Sequence, residues 1–483
     1  MNANEQEVRG NALIDEARRR LAEISFRSTL HACLYFLRKE PNDDFGWYER
    51  RPFLVFLMIK WAAELWNPAK ERRDGADEDF NFVEQRIWDA IGHLVRDRRP
   101  SIMLRRAAFQ QFWYQRSFEI GAIPRQAMLF GRLMRDSDVM RAFVADVGIE
   151  PEDFVRQLAR MASQTGQFLG IPALEQLRPE PSDRDAQDWP RMTQFLITTP
   201  QQLHERMLAL ARYNAPRAVE LCEQTPLIRT PFITTHNGEE CVHHQVLYQG
   251  ISTVMYDILR ERGAEAFMRE FGPAFEEYIS AVLQELPYDV IRETELEEIL
   301  GGKGKCVDFA VVSDDALLLV DAKGIEGHYD ERYHNLSEVL TEKLRTTAIH
   351  AVKQAIETIT RLPHELKRPL TVFVCVTYKQ LNIGDGDALR DLTHGTEEWN
   401  NARWLEPRLP SSNMFTVSVN EFELLCGVLR RGVSIADVFA RVLQNNKNPQ
   451  TSKFLFEQHM AHYGEVDIPT CSRLAAFELC NIA

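Results

Sequence analysis

Three residues with the chemistry of a metal site lie close together in an otherwise apolar stretch. Residues 306–324 read CVDFAVVSDDALLLVDAKG, in which Asp308, Asp321 and Lys323 interrupt two runs of strand-forming residues. Carboxylate oxygens are the ligands that hard divalent cations prefer. A lysine beside them can orient a metal-bound water and help to deprotonate it, or stabilise the charge that develops on a phosphate. These residue types predict a metal site with hydrolytic potential.

The two runs are spaced as an antiparallel hairpin with a four-residue loop. If Val312 pairs with Leu317, Asp308 stands directly opposite Asp321. Lys323 lies two residues beyond Asp321, so the alternation of side chains along a strand places all three on one face. Facing carboxylates in an apolar sheet repel each other, and a bound cation is the simplest compensation. The alternative is a solvent-exposed hairpin whose acids protect a sheet edge.

The flanking segments predict the elements that hold this hairpin in place. Their order is αβββαβ: a helix over 273–286, strands over 288–294, 305–312 and 317–323, a long helix over about 338–362, and a strand over 370–378.

This order, with an acid on one strand and Asp-Ala-Lys ending the next, resembles the PD-(D/E)XK nucleases, the superfamily of many restriction and repair endonucleases. The resemblance covers residues 272–378 and implies a restriction-endonuclease-like core. It implies hydrolysis of a phosphodiester with Mg²⁺ or Mn²⁺, with Asp308 and Asp321 as metal ligands and Lys323 as the catalytic lysine. The chain departs from the commoner pattern in having Asp321 in place of glutamate and no proline before Asp308.

The resemblance also implies one functional residue on each flanking helix. Many family members add a glutamate on the preceding helix, where this chain offers Glu276 and Glu277. Helical periodicity puts Glu276 beside the buried face and Glu277 away from it, so Glu276 is the predicted third metal ligand. A polar residue, often glutamine, follows on the next helix, and Gln354 has that place. Lys353 is its neighbour and a candidate phosphate contact.

The composition and the positions of the segment boundaries predict an α+β protein with several domains. Residues 1–176 have helical periodicity and form the predicted helical domain, with a regulatory or assembly role. The proline-rich, charged stretch 177–190 is the predicted linker or long surface loop. A mixed connecting segment over 191–265 follows, with a strand expected at 227–233. The nuclease domain is predicted over 266–483, with final helices near 421–430 and 434–443.

The charge of the chain restricts how it could hold a nucleic acid. The net charge is −14, so an anionic substrate needs a local basic surface and metal ions. The stretch 96–141 has ten arginines against four acids, interleaved with aromatic residues. The aromatic residues are the expected helix core. The arginines are the expected solvated or subunit-facing side, with nucleic-acid binding as the alternative.

Two histidine-containing segments are weaker candidates for a site. Cys241, His243 and His244 lack a second ligand pair at zinc-finger spacing, so a structural role is expected. His328, His334 and His350 follow the Asp-Ala-Lys strand and are interpreted as part of a loop and helix after the site. The eight cysteines include no CxxC pair and are expected to be free thiols.

The residues predict a metal site, and the resemblance implies a metal-dependent nuclease with DNA as the expected substrate. RNA as the substrate is one alternative, and a catalytically inactive nuclease fold that serves as a scaffold or regulator is another. A helical domain fused to such a core resembles bacterial phage-defence effectors, in which the added domain senses a trigger or sets the oligomeric state. The sequence has no apolar run long enough for a membrane span, and a cytoplasmic location without a membrane partner is expected.

Overall fold

The structure is a computed structural model. It describes residues 3–38, 51–94, 100–110, 114, 119–166, 171–211, 220–221, 224–302, 304–324, 344–393 and 408–481. Within these ranges the chain is mixed α and β, which confirms the predicted α+β class. None of the helices in these ranges is both long enough and apolar enough to cross a membrane.

Helices dominate the amino-terminal half, as their periodicity predicts. They are α1 (Ala3–Glu23), α2 (Phe26–Arg38), α3 (Pro52–Leu65), α4 (Asp77–Leu94), α5 (Pro100–Gln110), α6 (Ala122–Gln126, continued by a π-helix over Ala127–Leu133), α7 (Asp138–Val147) and α8 (Pro151–Thr165). Prolines begin α3, α5 and α8, where the missing amide hydrogen costs nothing. Trp61 is fully buried in the core that α1 to α4 share.

The stretch predicted as a linker is a surface loop attached to α8. It contains a short 3-10 helix, Arg184–Ala186, and Asp185 accepts a hydrogen bond of 2.8 Å from the Arg156 guanidinium of α8. Side chains of α8, such as Phe154, also share one apolar core with Phe275 of the carboxy-terminal half. The division of the chain into domains at residues 176 and 190 stays a prediction.

The connecting segment forms a small three-stranded sheet with the strand order β1–β2–β3. Its elements are α9 (Trp189–Thr193), β1 (Ile197–Thr198), α10 (Pro200–Ala211), β2 (Phe232–Thr235) and β3 (Gly238–Cys241). The prediction of a strand over 227–233 is wrong in its first half. Pro226 instead begins a 3-10 helix that ends at Arg229, and the Thr225 side chain caps it.

The helix α11 (His244–Leu283) has 40 residues and bends sharply at Ala264. Ala264 has φ 40° and ψ −110°, a conformation outside the helical region. The preceding Gly263 is tightly packed, because a Cβ there would lie 3.1 Å from Cβ of Phe267. The half of α11 after the bend contains residues 273–283 of the helix predicted over 273–286, which ends three residues earlier than predicted, and Pro273 lies within it.

A six-stranded sheet with the strand order β4–β5–β6–β7–β9–β8 forms the centre of the carboxy-terminal half. Its strands are β4 (Asp289–Arg292), β5 (Phe309–Val312), β6 (Ala316–Lys323), β7 (Leu370–Thr377), β8 (Gly384–Asp385) and β9 (Met414–Ser418). The pairs β4–β5, β5–β6 and β8–β9 are antiparallel, whereas β6–β7 and β7–β9 are parallel. Val312 pairs with Leu317 and Phe309 with Val320, which confirms the predicted hairpin register.

Helices cover both faces of this sheet. The carboxy-terminal half has α12 (Glu293–Ile299), α13 (His350–Arg361, preceded by a π-helix over Arg345–Ile349), α14 (Gly386–Leu392), α15 (Val419–Arg430), α16 (Ile435–Lys447), α17 (Phe456–Met460) and α18 (Thr470–Asn481). One face, with Val320 and Val374, packs on α11, α15 and α16. The other face, with Leu319, packs on α13 and α14. The predicted helix over 338–362 begins outside the described residues.

Candidate active site

Asp308, Asp321 and Lys323 lie at one end of the β5–β6 hairpin. Asp321 and Lys323 belong to β6, and Asp308 immediately precedes β5. Because side chains alternate, Asp321 and Lys323 share the face of Leu319, and Asp308 shares the face of Ala310. Both apolar residues belong to the core on the α13 side of the sheet. The hairpin therefore brings the two acids and the lysine to one face, as its register predicts.

Asp308 is held by the strand opposite it. Its Oδ2 accepts a hydrogen bond of 2.6 Å from the backbone N–H of Ala322, and its side chain is almost fully buried. This bond fixes one carboxylate oxygen of Asp308 beside strand β6, at Ala322 between Asp321 and Lys323. The other oxygen of Asp308 remains available to a ligand.

Lys323 is positioned by two side chains. Its Nζ lies 2.7 Å from Oδ2 of Asp321 and donates a hydrogen bond of 3.0 Å to Oε1 of Gln354 on α13. The Gln354 amide is itself fixed, because its Nε2 donates a bond of 3.0 Å to the carbonyl of Cys306. The structure thus brings Gln354 into the site, as the resemblance implies, and gives it the role of orienting the lysine.

Asp321 has an unsatisfied carboxylate. Its exposed fraction is 0%, and apart from the close ion pair with Lys323 neither of its oxygens has a well-formed hydrogen-bond partner among the described residues. An ionised carboxylate can accept about four hydrogen bonds, and buried polar atoms without partners are rare. A cation coordinated by oxygen would satisfy these lone pairs, so the donor set suits a hard divalent metal ion.

The charges in the site act on one another through a low-dielectric surrounding. Burial raises the pKa of Asp308 well above its usual range, and the negative charge of Asp321 raises it further. Burial also raises the pKa of Asp321, against the opposing effect of Lys323. For Lys323 burial alone would lower the pKa, but Asp321 and Asp308 outweigh it and the pKa is raised. Lys323 is therefore a cation at neutral pH.

Glu276 of α11 faces the same group of charges from a second element. It is half-buried, burial raises its pKa, and the negative charge of Asp321 contributes to the rise. The neighbouring Glu277 is exposed and forms a two-bond ion pair with Arg292, at 3.0 and 3.1 Å. Of the two glutamates that the sequence offers, Glu277 is paired with Arg292, which leaves Glu276 as the candidate for the site.

A second acidic group adjoins the site and was not predicted from the sequence. One ligand atom each from Glu293, Glu297 and Cys306 lies within 4.8 Å of the others. Burial raises the pKa of Glu293, and the negative charge of Glu276 raises it further. The i, i+4 spacing of the two glutamates on α12 was the available signal, but their proximity to Cys306 depends on the fold.

Basic side chains lie near His350 at the start of α13. Burial lowers the pKa of His350, and the charges of Lys323, Lys305 and Lys353 lower it further. Lys353 is exposed one residue before Gln354, as expected for a phosphate contact. His328 and His334 lie outside the described residues.

Some arginines of the stretch 96–141 are buried, although the sequence predicts that they are exposed or face another subunit. Arg105 and Arg125 are buried, so the prediction of a solvated or subunit-facing side is wrong for both. Arg105 donates to the carbonyl of Leu381 at 3.2 Å, and Arg125 forms bonds of 2.6 and 3.0 Å with Glu423. Both join the amino-terminal helices to the carboxy-terminal half. Residues 96–99 and Arg116 lie outside the described residues.

Comparison of the chain with protein-family models, with curated proteins and with solved structures finds no match. The side chains at the end of the β5–β6 hairpin are therefore the main indication of what chemistry this protein could perform.

Proposed function

We propose that the chain is a metal-dependent nuclease with a PD-(D/E)XK-like core formed by the six-stranded sheet and its flanking helices. The observation that carries the proposal is the fully buried Asp321 carboxylate, which has Lys323 at 2.7 Å but no further hydrogen-bond partner among the described residues, and which shares one face with Asp308. A structural ion pair would need only one carboxylate. Here the charge of one acid raises the pKa of the other, and a bound divalent cation would offset the repulsion between the two carboxylates.

Asp308, Asp321 and Glu276 are the residues that would hold the metal ion. All three offer oxygen, which favours Mg²⁺ or Mn²⁺ over softer metals. Such an ion acts as a Lewis acid toward a phosphoryl oxygen and lowers the pKa of a water molecule. The partial desolvation of the three carboxylates would strengthen their attraction to the ion.

Lys323 supports the reaction as a cation rather than as a base. Its raised pKa keeps the ammonium protonated, and Asp321 and Gln354 fix its position. A fixed positive charge beside a phosphodiester stabilises the negative charge that develops in the transition state. Gln354 is a positioning residue in this scheme, because its amide contacts the lysine.

The basic side chains near His350 support a nucleic-acid substrate. Lys305 and Lys353 lie near His350, and they could neutralise phosphates locally on a chain whose net charge is −14. We propose DNA as the substrate. A role in anti-phage defence, and regulation or assembly of the enzyme through residues 1–176, remain proposals that rest on the domain layout.

The experiment is cleavage of supercoiled plasmid by the purified chain with Mg²⁺, Mn²⁺ or EDTA, with total RNA digested in parallel. Lys323→Ala is the test variant. Lys367→Ala is the matched control, because Lys367 is exposed and lies near the opposite end of the same strands. We expect nicked and linear plasmid with metal only, and a loss in rate of at least tenfold for Lys323→Ala, about 1.4 kcal/mol of transition-state stabilisation.

Circular dichroism of each variant separates loss of chemistry from loss of the fold. Metal-dependent cleavage of RNA but not of DNA would identify a ribonuclease and refute the proposed substrate. A folded wild-type protein that cleaves neither substrate with either metal would contradict the nuclease proposal and favour the inactive scaffold. Equal activity in Lys323→Ala and wild type would remove the lysine from the mechanism.

A further inference from the structure

A pocket far along the chain from the nuclease residues lies between α2, the end of α3 and the β2–β3 hairpin. Its volume is about 360 Å³, which is in the range of small-molecule sites. Phe26 and Leu30 of α2 line one wall, and Trp66, just after α3, lines another. The hairpin contributes His236 and Glu240. None of these residues belongs to the proposed active site.

One wall of the pocket is the half-buried ring of Trp66, which packs on the buried ring of Phe26. The centroids of these two rings are 5.6 Å apart, and the rings are tilted by 34°. His204 meets the Trp66 ring edge-on, also at 5.6 Å, and its Nδ1 is 2.7 Å from the carbonyl of Ala63, which fixes the wall. A ring held in this way is suited to stacking against a planar ligand.

The rim of the pocket has one guanidinium and two imidazole side chains. Arg27 is exposed and has no hydrogen-bond or ion-pair partner among the described residues. His31 and His236 are both exposed, and their ring centroids are 6.3 Å apart across the opening. Three nitrogen-bearing side chains thus converge on one opening of an acidic protein, a pattern that concentrates anions locally.

The Glu240 carboxylate of the pocket is paired with Arg38. It receives bonds of 2.6 Å from Arg38 and 2.6 Å from the Thr235 hydroxyl. Burial acts to raise its pKa, but these bonds, the charge of Arg38 and the nearby His236 imidazole outweigh burial, so the pKa is lowered. Glu240 therefore lies near one histidine of the rim, whereas the charge of Arg27 is not paired within the described residues and remains for a ligand.

We propose that this pocket binds a small ligand that joins a planar ring to an anionic group, and that mononucleotides are its chemical class. The ring would stack on Trp66, and the phosphate would contact Arg27, His31 and His236. A ring alone would leave the Arg27 guanidinium unused, and an inorganic anion alone would leave the accessible part of the Trp66 ring uncovered. The inference is independent of the proposed nuclease activity, since it uses no residue of that site.

The test is isothermal titration of the full chain with AMP and GMP in EDTA, so that a metal ion in the acidic site cannot capture the phosphate. Adenosine and inorganic phosphate are titrated separately as the two halves of the ligand. We expect saturable binding of at least one mononucleotide, at least tenfold tighter than either half. Heats that stay at the level of dilution for both nucleotides would overturn the proposal, as would phosphate alone binding as tightly as the nucleotide.

Arg27→Gln tests the placement of the ligand. Because Arg27 is exposed and unpaired, its loss should leave the melting temperature unchanged and weaken nucleotide binding at least tenfold, which corresponds to about 1.4 kcal/mol. Arg19→Gln is the matched control on the neighbouring helix α1, because Arg19 is exposed and within the described residues its guanidinium bonds only to the carbonyl of Asp15. Binding that survives Arg27→Gln undiminished would place the nucleotide elsewhere and refute the assignment.

Discussion

Asp308→Asn should remove most of the stabilisation that divalent metal gives to this protein. The amide keeps the shape of the carboxylate and still offers an oxygen to the N–H of Ala322, which now donates at 2.6 Å. The ion pair of Asp321 with Lys323 stays intact. The metal-free variant should therefore be as stable as the wild type or slightly more stable, because a repulsion with Asp321 is lost.

The size of the effect follows from linkage. Metal at about 100 times its Kd stabilises a folded protein that alone binds it by about 2.7 kcal/mol. An unfolding entropy of about 2.1 cal/mol/K per residue gives this 483-residue chain a sensitivity of about 1 °C per kcal/mol. If the chain unfolds as one unit, Mn²⁺ should raise the melting temperature of the wild type by about 3 °C and that of Asp308→Asn by under about 1 °C.

The assay is differential scanning calorimetry of both proteins in EDTA and in Mn²⁺. Asp314→Asn, an exposed residue in the loop of the same hairpin, is the control that removes one negative charge without touching the site. It should keep the full metal-induced shift. A shift of equal size in the wild type and Asp308→Asn would refute the assignment of Asp308 as a metal ligand.

Three further predictions concern stability. In EDTA the wild type should lose stability relative to Asp308→Asn as pH rises from about 5 to 8, by at most about 1.4 kcal/mol per pH unit. The sign follows because the pKa of Asp308 is raised on folding, so the unfolded chain releases this proton at a lower pH than the folded protein. Urea titrations at several pH values would measure the difference in stability between the two proteins. A difference that does not change with pH would contradict the prediction. Arg125→Met should destabilise the protein by about 3–5 kcal/mol in urea titrations, because it leaves the Glu423 carboxylate buried without its cation, and a cost under about 1 kcal/mol would show that the pair is dispensable. Ala264→Gly should stabilise the protein by about 1 kcal/mol and so raise its melting temperature, because glycine adopts φ 40° without strain. A lowered melting temperature would show that the Ala264 methyl group contributes more stability than the strain costs.

The hairpin was predictable because few physical choices are open to it. A period of two and a short loop leave one register that buries both apolar faces, so the facing of Asp308 and Asp321 follows from counting residues. The roles of Glu276 and Gln354 came from the family resemblance, and their placement beside the hairpin agrees with it. The metal assignment itself stays a prediction.

Features that depend on distant parts of the chain could not be read from the sequence. Strand β9 pairs in parallel with β7, about 40 residues earlier, and no local signal indicates that partner. Arg105 and Arg125 look like surface residues in a basic stretch, and their burial depends on acceptors contributed by Leu381 and Glu423. The approach of Glu293 to the site depends on how α12 follows β4, which periodicity does not determine.

The bend at Ala264 divides α11 into two arms, so a change in the bend angle would move residues that lie far from it. Glu276 lies 12 residues beyond the bend, or about 18 Å along the helix axis at 1.5 Å per residue. A change of about 10° in the bend would therefore displace the Glu276 carboxylate by about 3 Å, more than the length of a metal–oxygen bond of about 2.1 Å. The half of α11 before the bend starts directly after the β2–β3 hairpin that lines the proposed nucleotide pocket. The two halves of α11 thus connect the elements that line the pocket to Glu276, with the bend at Ala264 and then Pro273 between them.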